Sequence, residues 1–245
     1  MPITPTRPLT AHKALLFDVY GTLIDWHTGL YTALSPLLSL SHTPWERADA
    51  LAAFLSVEAD VCARSPASQY TDILGEAYVE FGRRIGAIPD GANSHIRAAR
   101  TFAASVRTWA PWPDSARALA RLRPHFTLAA LSNIDDASLA FTSAVLGSPF
   151  DVTMTAEAIG SYKPAPANFE YALARLGERG IGREDALVVS YLMRTDHVPA
   201  AAAGFPPGVW VDREGKGSVE GPYGWRVNDL DELVELVEKE LTETQ

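Results

Sequence analysis

Cysteine is nearly absent: Cys62 is the single one in 245 residues. It has no partner for an intramolecular disulfide, and one thiol cannot build a cysteine-rich zinc site. A reducing compartment, the cytoplasm, is therefore the expected setting. Positive charge is also short. The 21 lysines and arginines are outnumbered by 30 aspartates and glutamates, a formal net charge of −9. Without a basic face the chain is not expected to bind nucleic acid. No apolar run approaches the roughly 20 residues that span a bilayer, and the opening MPITPTRPLTAHK lacks the apolar stretch of a secretory leader. No membrane partner is expected. Charged residues make up only 21% of the chain against 47% apolar. That balance excludes disorder and coiled coil, and it suffices for a large core in one domain or in a domain with an insertion. There is no internal repeat or low-complexity tract.

Three compact apolar runs, KALLFDV (13–19), FTLAALS (126–132) and DALVVSY (185–191), read as strands covered on both faces, and VTMT (152–155) and VWVD (209–212) are weaker candidates. Helical patterns follow them at 114–123, 135–147, 167–180 and 229–243. Strand then helix, repeated, predicts an α/β fold with a doubly wound, mostly parallel sheet. Residues 28–108 break the rhythm with long helical patterns and no convincing strand. They are expected to form an inserted α-helical domain, with 1–27 and 109–245 as the α/β core. The proline-rich WAPWPDS (109–115) would return the chain to that core, with Trp109 and Trp112 packing the hinge.

In an open parallel sheet, ligands bind beyond the carboxyl ends of the strands. Asp18 ends the first strand and is followed by the turn Tyr20-Gly21-Thr22. Ser132 and Asn133 close the second strong strand, and Tyr191 closes the third, with Asp196 five residues on. Lys163 sits in GSYKPAP, a loop feeding a helix. These side chains can meet at one rim. A carboxylate there can attack an electrophile and form an ester that water opens, and a nearby lysine keeps the carboxylate ionised. Gly21 and Thr22 allow backbone N–H groups to approach the reacting group. Each residue also has an ordinary reading. Asp18 can cap a turn, Ser132 and Asn133 can cap the helix beginning near Asp135, Asp196 can be a helix N-terminal acid, and Lys163 can be a solvated lysine. His197 reads as packing or a local hydrogen bond, and Cys62 as a core thiol.

Taken in order, DVYGTL, LSN, YKPAP and the D-H-V-P-A segment near Asp196 resemble the haloacid dehalogenase superfamily of hydrolases. The D-x-Y-G-T form of the first motif is similar to that of the (S)-2-haloacid dehalogenases, the type II subgroup. The resemblance implies a Rossmann-like core with the helical insertion as a cap. It also implies Asp18 as nucleophile, Thr22 and Ser132 as its hydrogen-bonding supports, Lys163 as charge balance, and Asp196 in hydrolysis of the ester. Asn133 would lie beside the leaving group, and Tyr20 and Tyr191 would border the substrate. The family holds the halide with an arginine early in the cap, where Arg47 and Arg64 are the nearest basic residues here, and its tyrosine after the motif lysine corresponds to Phe169.

Phosphatases of the superfamily place a second acid two residues after the nucleophile to protonate the leaving oxygen, and they hold Mg²⁺ with acids of the fourth motif. Here those positions are Tyr20 and Tyr191. A phenol with pKa near 10 is a poor proton donor at neutral pH, and a lost carboxylate weakens a magnesium site. Halide leaves without a proton or a metal. The expected activity is metal-independent hydrolysis of a small organic acid of 2-haloacid type, with no cofactor. The alternatives are a Mg²⁺-dependent small-molecule phosphatase and a binding protein that kept the fold and lost the chemistry. The expected partner is a small-molecule substrate, and a homodimer is compatible with the sequence.

Overall fold

Runs of Leu, Val, Ala and Phe become strands buried on both faces, because a parallel sheet covered by helices shows neither face to water. The computed structural model describes residues 3–65, 68–89, 95–217 and 219–243. Six strands, β1 Ala14–Phe17, β2 Thr127–Ser132, β3 Val152–Thr155, β4 Ala186–Ser190, β5 Gly208–Val211 and β6 Tyr223–Val227, form one sheet in the order β3-β2-β1-β4-β5-β6. Every pairing is parallel. The helices are α1 Trp26–Leu38, α2 Arg47–Arg64, α3 Tyr70–Arg84, α4 Ile96–Ala104, α5 Ser115–Leu122, α6 Asp136–Val145, α7 Ala156–Ile159, α8 Pro166–Gly177, α9 Val198–Ala202 and α10 Leu230–Glu243. This is the doubly wound α/β architecture, and its strand order reverses between β1 and β4, where such folds open a crevice at the strand ends.

The chain divides into two compact units. The first comprises Met1–Ile24, Pro111–Asn133 and Ser143–Gln245, and the second Asp25–Ala110 and Ile134–Thr142. The division falls a few residues outside the expected boundaries of 28 and 108, and the stretch 134–142 goes with the helical unit. In the first unit β1 is central, with Leu16 beside Ala129 of β2 and Val188 of β4. Leu16, Leu131, Met154, Phe169, Leu176, Val188 and Phe205 belong to one buried cluster, in which the rings of Phe169 and Phe205 meet edge to face at 6.3 Å. Phe169, the counterpart of the family's tyrosine, is thus core.

β6 has no counterpart among the expected strands. Its sequence YGWRV is only partly buried, and a register shift at Gly208/Val209 joins it to β5. Among the described residues of the β5–β6 connection there is no helix.

The second unit is helical and packs on aromatic rings. Phe54 meets Phe81 at 5.7 Å and Phe102 at 5.3 Å, and Tyr78 lies 4.8 Å from Phe102. Helices start on side-chain caps where the sequence offers them. Asp25 accepts the Thr28 N–H at the head of α1, and Asp135 accepts the Ser138 N–H at the head of α6. Asp135, rather than Ser132 or Asn133, is therefore the residue that caps α6. Cys62, expected in the core, is half-buried on α2, with its thiol 3.5 Å from Glu58 Oε1. Burial and the neighbouring Glu58 push that thiol up to about 12, which disfavours the thiolate. Arg64 pairs with Glu76 and Glu80, and Arg47 donates to Thr28 Oγ1 at 2.8 Å. No helix among the described residues is long and apolar enough to cross a membrane.

Candidate active site

The first unit assembles its polar groups at the carboxyl ends of β1, β2 and β4. Asp18 is the residue immediately after β1, and its N–H donates to the Val189 carbonyl of β4 at 3.0 Å. Its backbone is therefore fixed by the sheet, while its side chain is 7% exposed. One carboxylate oxygen, Oδ2, accepts the Thr22 hydroxyl at 2.8 Å. The other, Oδ1, accepts Lys163 Nζ at 2.9 Å. Thr22 is fully buried, and its Oγ1 also accepts the Tyr191 N–H at 3.1 Å. That bond leaves the Thr22 hydroxyl hydrogen to point at Asp18.

Lys163 joins the acids. Its ammonium donates to Asp18 Oδ1, to Asp196 Oδ1 at 2.6 Å and to the Leu131 carbonyl at 2.8 Å. All three donors of the ammonium are used, and the side chain is 1% exposed. Burial opposes the charge on Lys163, but Asp18 and Asp196 outweigh it and hold the group above the usual lysine value. For Asp196 burial dominates. It raises the carboxyl to about 7 against the pull of Lys163, with the like charge of Asp18 adding to the rise. Asp196 lies in a π-helical turn, Met193–His197, that precedes α9. Its Oδ2 is buried without a hydrogen-bond partner.

Asn133 does not project freely. Its amide clamps the lysine's own peptide, accepting the Lys163 N–H at 2.6 Å and donating to the Lys163 carbonyl at 2.9 Å. Its position suits holding the loop that carries Lys163 more than touching a leaving group. Ser132 is buried at the end of β2, in register with Thr155 of β3. The ring of Tyr191 lies over Gly21, where a Cβ would come within 2.1 Å of it. Gly21 has φ +99°, so glycine is required both for the turn and for that contact. Tyr20 forms an isolated β-bridge with Ile24 that closes the turn. His197 is 2% exposed, its Nε2 is 3.0 Å from the Ser190 carbonyl, and burial lowers it to about 4.

Of the sequence candidates, Asp18, Thr22, Lys163, Asp196 and the Tyr191 backbone form one bonded network, with Asn133 supporting Lys163 from behind. Sequence reasoning missed the Leu131 carbonyl, the third acceptor on Lys163. It also missed Trp112, read as hinge packing, whose Nε1 donates to the Gly21 carbonyl at 3.1 Å. Among the described residues no group of three or more His, Cys, Asp and Glu side chains is placed to hold a metal ion.

Comparison with known structures gives the fold again. The chain superposes on the defluorinating L-2-haloacid dehalogenase Rha0230 with a TM-score of 0.77 at 20% identity, covering 96% of this chain and 100% of that one. An L-2-haloacid dehalogenase from Xanthobacter autotrophicus with chloropropionic acid covalently bound gives 0.71 at 22% identity, covering 93% and 98%. YfnB from Bacillus subtilis, a putative HAD-hydrolase bound to magnesium, gives 0.71 at 19%, covering 92% and 98%. Comparison with curated protein sequences gave no match. The family model "haloacid dehalogenase-like hydrolase" matches residues 12–190, which hold Asp18, Thr22, Ser132 and Lys163. The chain belongs to the haloacid dehalogenase-like hydrolases.

Proposed function

We propose that the chain is a metal-independent hydrolase of the type II, (S)-2-haloacid class, acting on a small organic acid with a halogen on the carbon beside its carboxylate. The observation that carries this reading is the way Lys163 satisfies the carboxylates. Asp18 Oδ1 and Asp196 Oδ1 face the ammonium and Asp18 Oδ2 faces the Thr22 hydroxyl. Magnesium needs about six oxygens in a tight octahedron. The unengaged carboxylate oxygen of this pair of acids is Asp196 Oδ2, and Tyr20 and Tyr191 stand where further acids would be needed. The donor set does not fit a magnesium ion. The covalently occupied dehalogenase of the same fold supports the reading by analogy.

The chemistry follows from the geometry. A carboxylate oxygen of Asp18 attacks the halogen-bearing carbon, and the C–X electron pair leaves as halide, giving an ester on Asp18. Lys163 and Thr22 fix the carboxylate in place so that attack costs little reorganisation. Water then attacks Cγ of Asp18 and gives its proton to Asp196. The bond between Cγ and the ester oxygen breaks, that oxygen takes the proton back from Asp196 as the 2-hydroxy acid forms, and the second proton of the water leaves Asp18 to solvent, restoring its carboxylate. A carboxyl with pKa about 7 is matched to taking and returning that proton near neutrality.

The test is halide release from (S)-2-chloropropionate, with and without chelator, together with a single turnover in ¹⁸O-water. Chelator-resistant release, with the label entering the Asp18 carboxylate, is expected. Strict magnesium dependence with phosphate release from p-nitrophenyl phosphate would establish the phosphatase instead. No turnover and no covalent adduct on Asp18 would leave a binding protein.

A further inference from the structure

The loop after Asp18 is gripped by its carbonyls. Gly21 O accepts from Trp112 Nε1 at 3.1 Å, and Leu23 O accepts from Ser115 Oγ at 2.8 Å and from the Trp112 N–H at 2.9 Å. Between them, Thr22 O accepts two bonds from one guanidinium, from Arg213 Nε at 3.1 Å and Nη2 at 2.8 Å. The remaining nitrogen of that guanidinium, Nη1, pairs with Asp114 at 2.8 Å, and both side chains are nearly buried, 6% and 7% exposed. The guanidinium carbon of Arg213 lies 5.3 Å from the ring centroid of Trp112. Asp114 Oδ2 also accepts the N–H of Leu230, the first residue of α10, at 2.7 Å. Arg213 follows directly on β5 and Asp212, so it reaches the loop after β1 from the end of a strand on the far side of β4.

Burying an arginine is costly, and a planar fork is suited to fixing two bonds at a set angle. Here the fork is spent on one peptide carbonyl. That peptide belongs to Thr22, the residue whose hydroxyl sits between the Tyr191 N–H and Asp18 Oδ2. With the Thr22 carbonyl locked, the backbone on which the hydroxyl turns is locked as well.

We propose that Arg213 is a positioning residue for the nucleophile: anchored on Asp114 and stacked on Trp112, it holds the Thr22 peptide so that the Thr22 hydroxyl stays on Asp18. The kinetic arm of its test rests on the proposed hydrolysis; the structural arm does not. Arg213→Met and Arg213→Lys are compared with the unaltered protein. In halide release, kcat falls about tenfold or more in Arg213→Met, as for loss of a charge-assisted bond's ordering effect. KM stays within about twofold, and Arg213→Lys recovers part of the loss. In hydrogen exchange, the Tyr191 amide, bound to Thr22 Oγ1, exchanges roughly tenfold faster or more in Arg213→Met, while the β2 amides of Ala129 and Ala130 keep their rates. If Arg213→Met does not fold, the double variant Asp114→Asn with Arg213→Met takes its place. The carboxamide oxygen introduced by Asp114→Asn still accepts the Leu230 N–H, and no buried charge is left unpaired. Unchanged exchange at Tyr191 overturns the proposal, and so does uniform acceleration of all amides, which marks general loosening. Should the unaltered protein release no halide, the proposed reaction fails and the Tyr191 amide alone decides the role of Arg213.

Discussion

Replacing Lys163 by Met removes the one cation between two buried carboxylates, and its cost should depend on pH in a calculable direction. Nζ lies 2.9 Å from Asp18 Oδ1 and 2.6 Å from Asp196 Oδ1. At an effective dielectric near 20 each attraction is about 6 kcal/mol. Most of that is offset by the several kcal/mol needed to bury an ammonium, and buried pairs broken from one side cost about 3–5 kcal/mol in practice. Methionine fills a similar volume, so cavity effects are small. The pH dependence comes from Asp196. With its carboxyl already raised to about 7, removing the cation raises it further. At pH 5 the variant keeps Asp196 neutral and faces only one bare carboxylate. At pH 8 it must hold two charges side by side or bind a proton that the unfolded chain does not bind. The expected stability loss is therefore about 2 kcal/mol at pH 5, rising to about 4 kcal/mol at pH 8. Urea unfolding of both proteins at the two pH values measures it, with turnover recorded in parallel and expected to fall by at least about a hundredfold. A loss under about 1 kcal/mol, or one that shrinks as pH rises, would refute the electrostatic reasoning.

If Asp196 takes the proton from water, the rate of ester opening in the unaltered protein climbs with pH through about 7 and then levels, and Asp196→Asn removes the climb; stopped-flow decay of the Asp18 ester measures both. His197 is held neutral down to about 4, so the unfolded chain gains its proton first as pH falls from about 6.5, which costs the fold about 3 kcal/mol by pH 4. Over the same window Asp196, with its raised value, binds its proton first in the folded state and offsets that loss. Asp196→Asn should therefore be more acid-labile than the unaltered protein between about pH 6.5 and 4, and equal lability in denaturant titrations would contradict the assignment. Gly21→Ala places a Cβ within 2.1 Å of the Tyr191 ring at φ +99° and should cost about 2–4 kcal/mol by thermal unfolding. Adding Tyr191→Ala should relieve the clash but leave the backbone strain of about 1–2 kcal/mol.

The sheet was legible in the sequence wherever a strand is buried on both faces. β1, β2 and β4 are unbroken apolar runs because neither face meets water, and VTMT became β3 without a shift at either end. β6 escaped because an edge strand is only half-covered: Gly224, Trp225 and Arg226 interrupt the apolar pattern, and the residues that fix it lie on β5. That Asp18, Thr22, Lys163 and Asp196 meet was legible because strand ends and the loop spacing dictate their place, and they are bonded in one network. Their supports were not. Asn133 reads as a ligand contact in sequence and is a clamp on a peptide, and Arg213 has no motif at all, since what it holds is a carbonyl that every residue possesses. Side chains acting on backbone leave no residue-type signature in the partner.

The two tyrosines gain meaning from a count of charge in the buried site. Asp18 and Asp196 share one ammonium, and Asp196 at about 7 spends part of its time neutral near pH 7, so the assembly carries between zero and one net negative charge. Acids in place of Tyr20 and Tyr191 would add two further carboxylates to the same strand ends, with Lys163 already saturated by three acceptors. Such a cluster is tolerable only with a divalent cation among the oxygens. With phenols there instead, the site is close to neutral without one, and the ring of Tyr191 covers the Gly21 backbone. A substrate arriving with its own negative charge then meets one lysine already spoken for, not an open cationic centre.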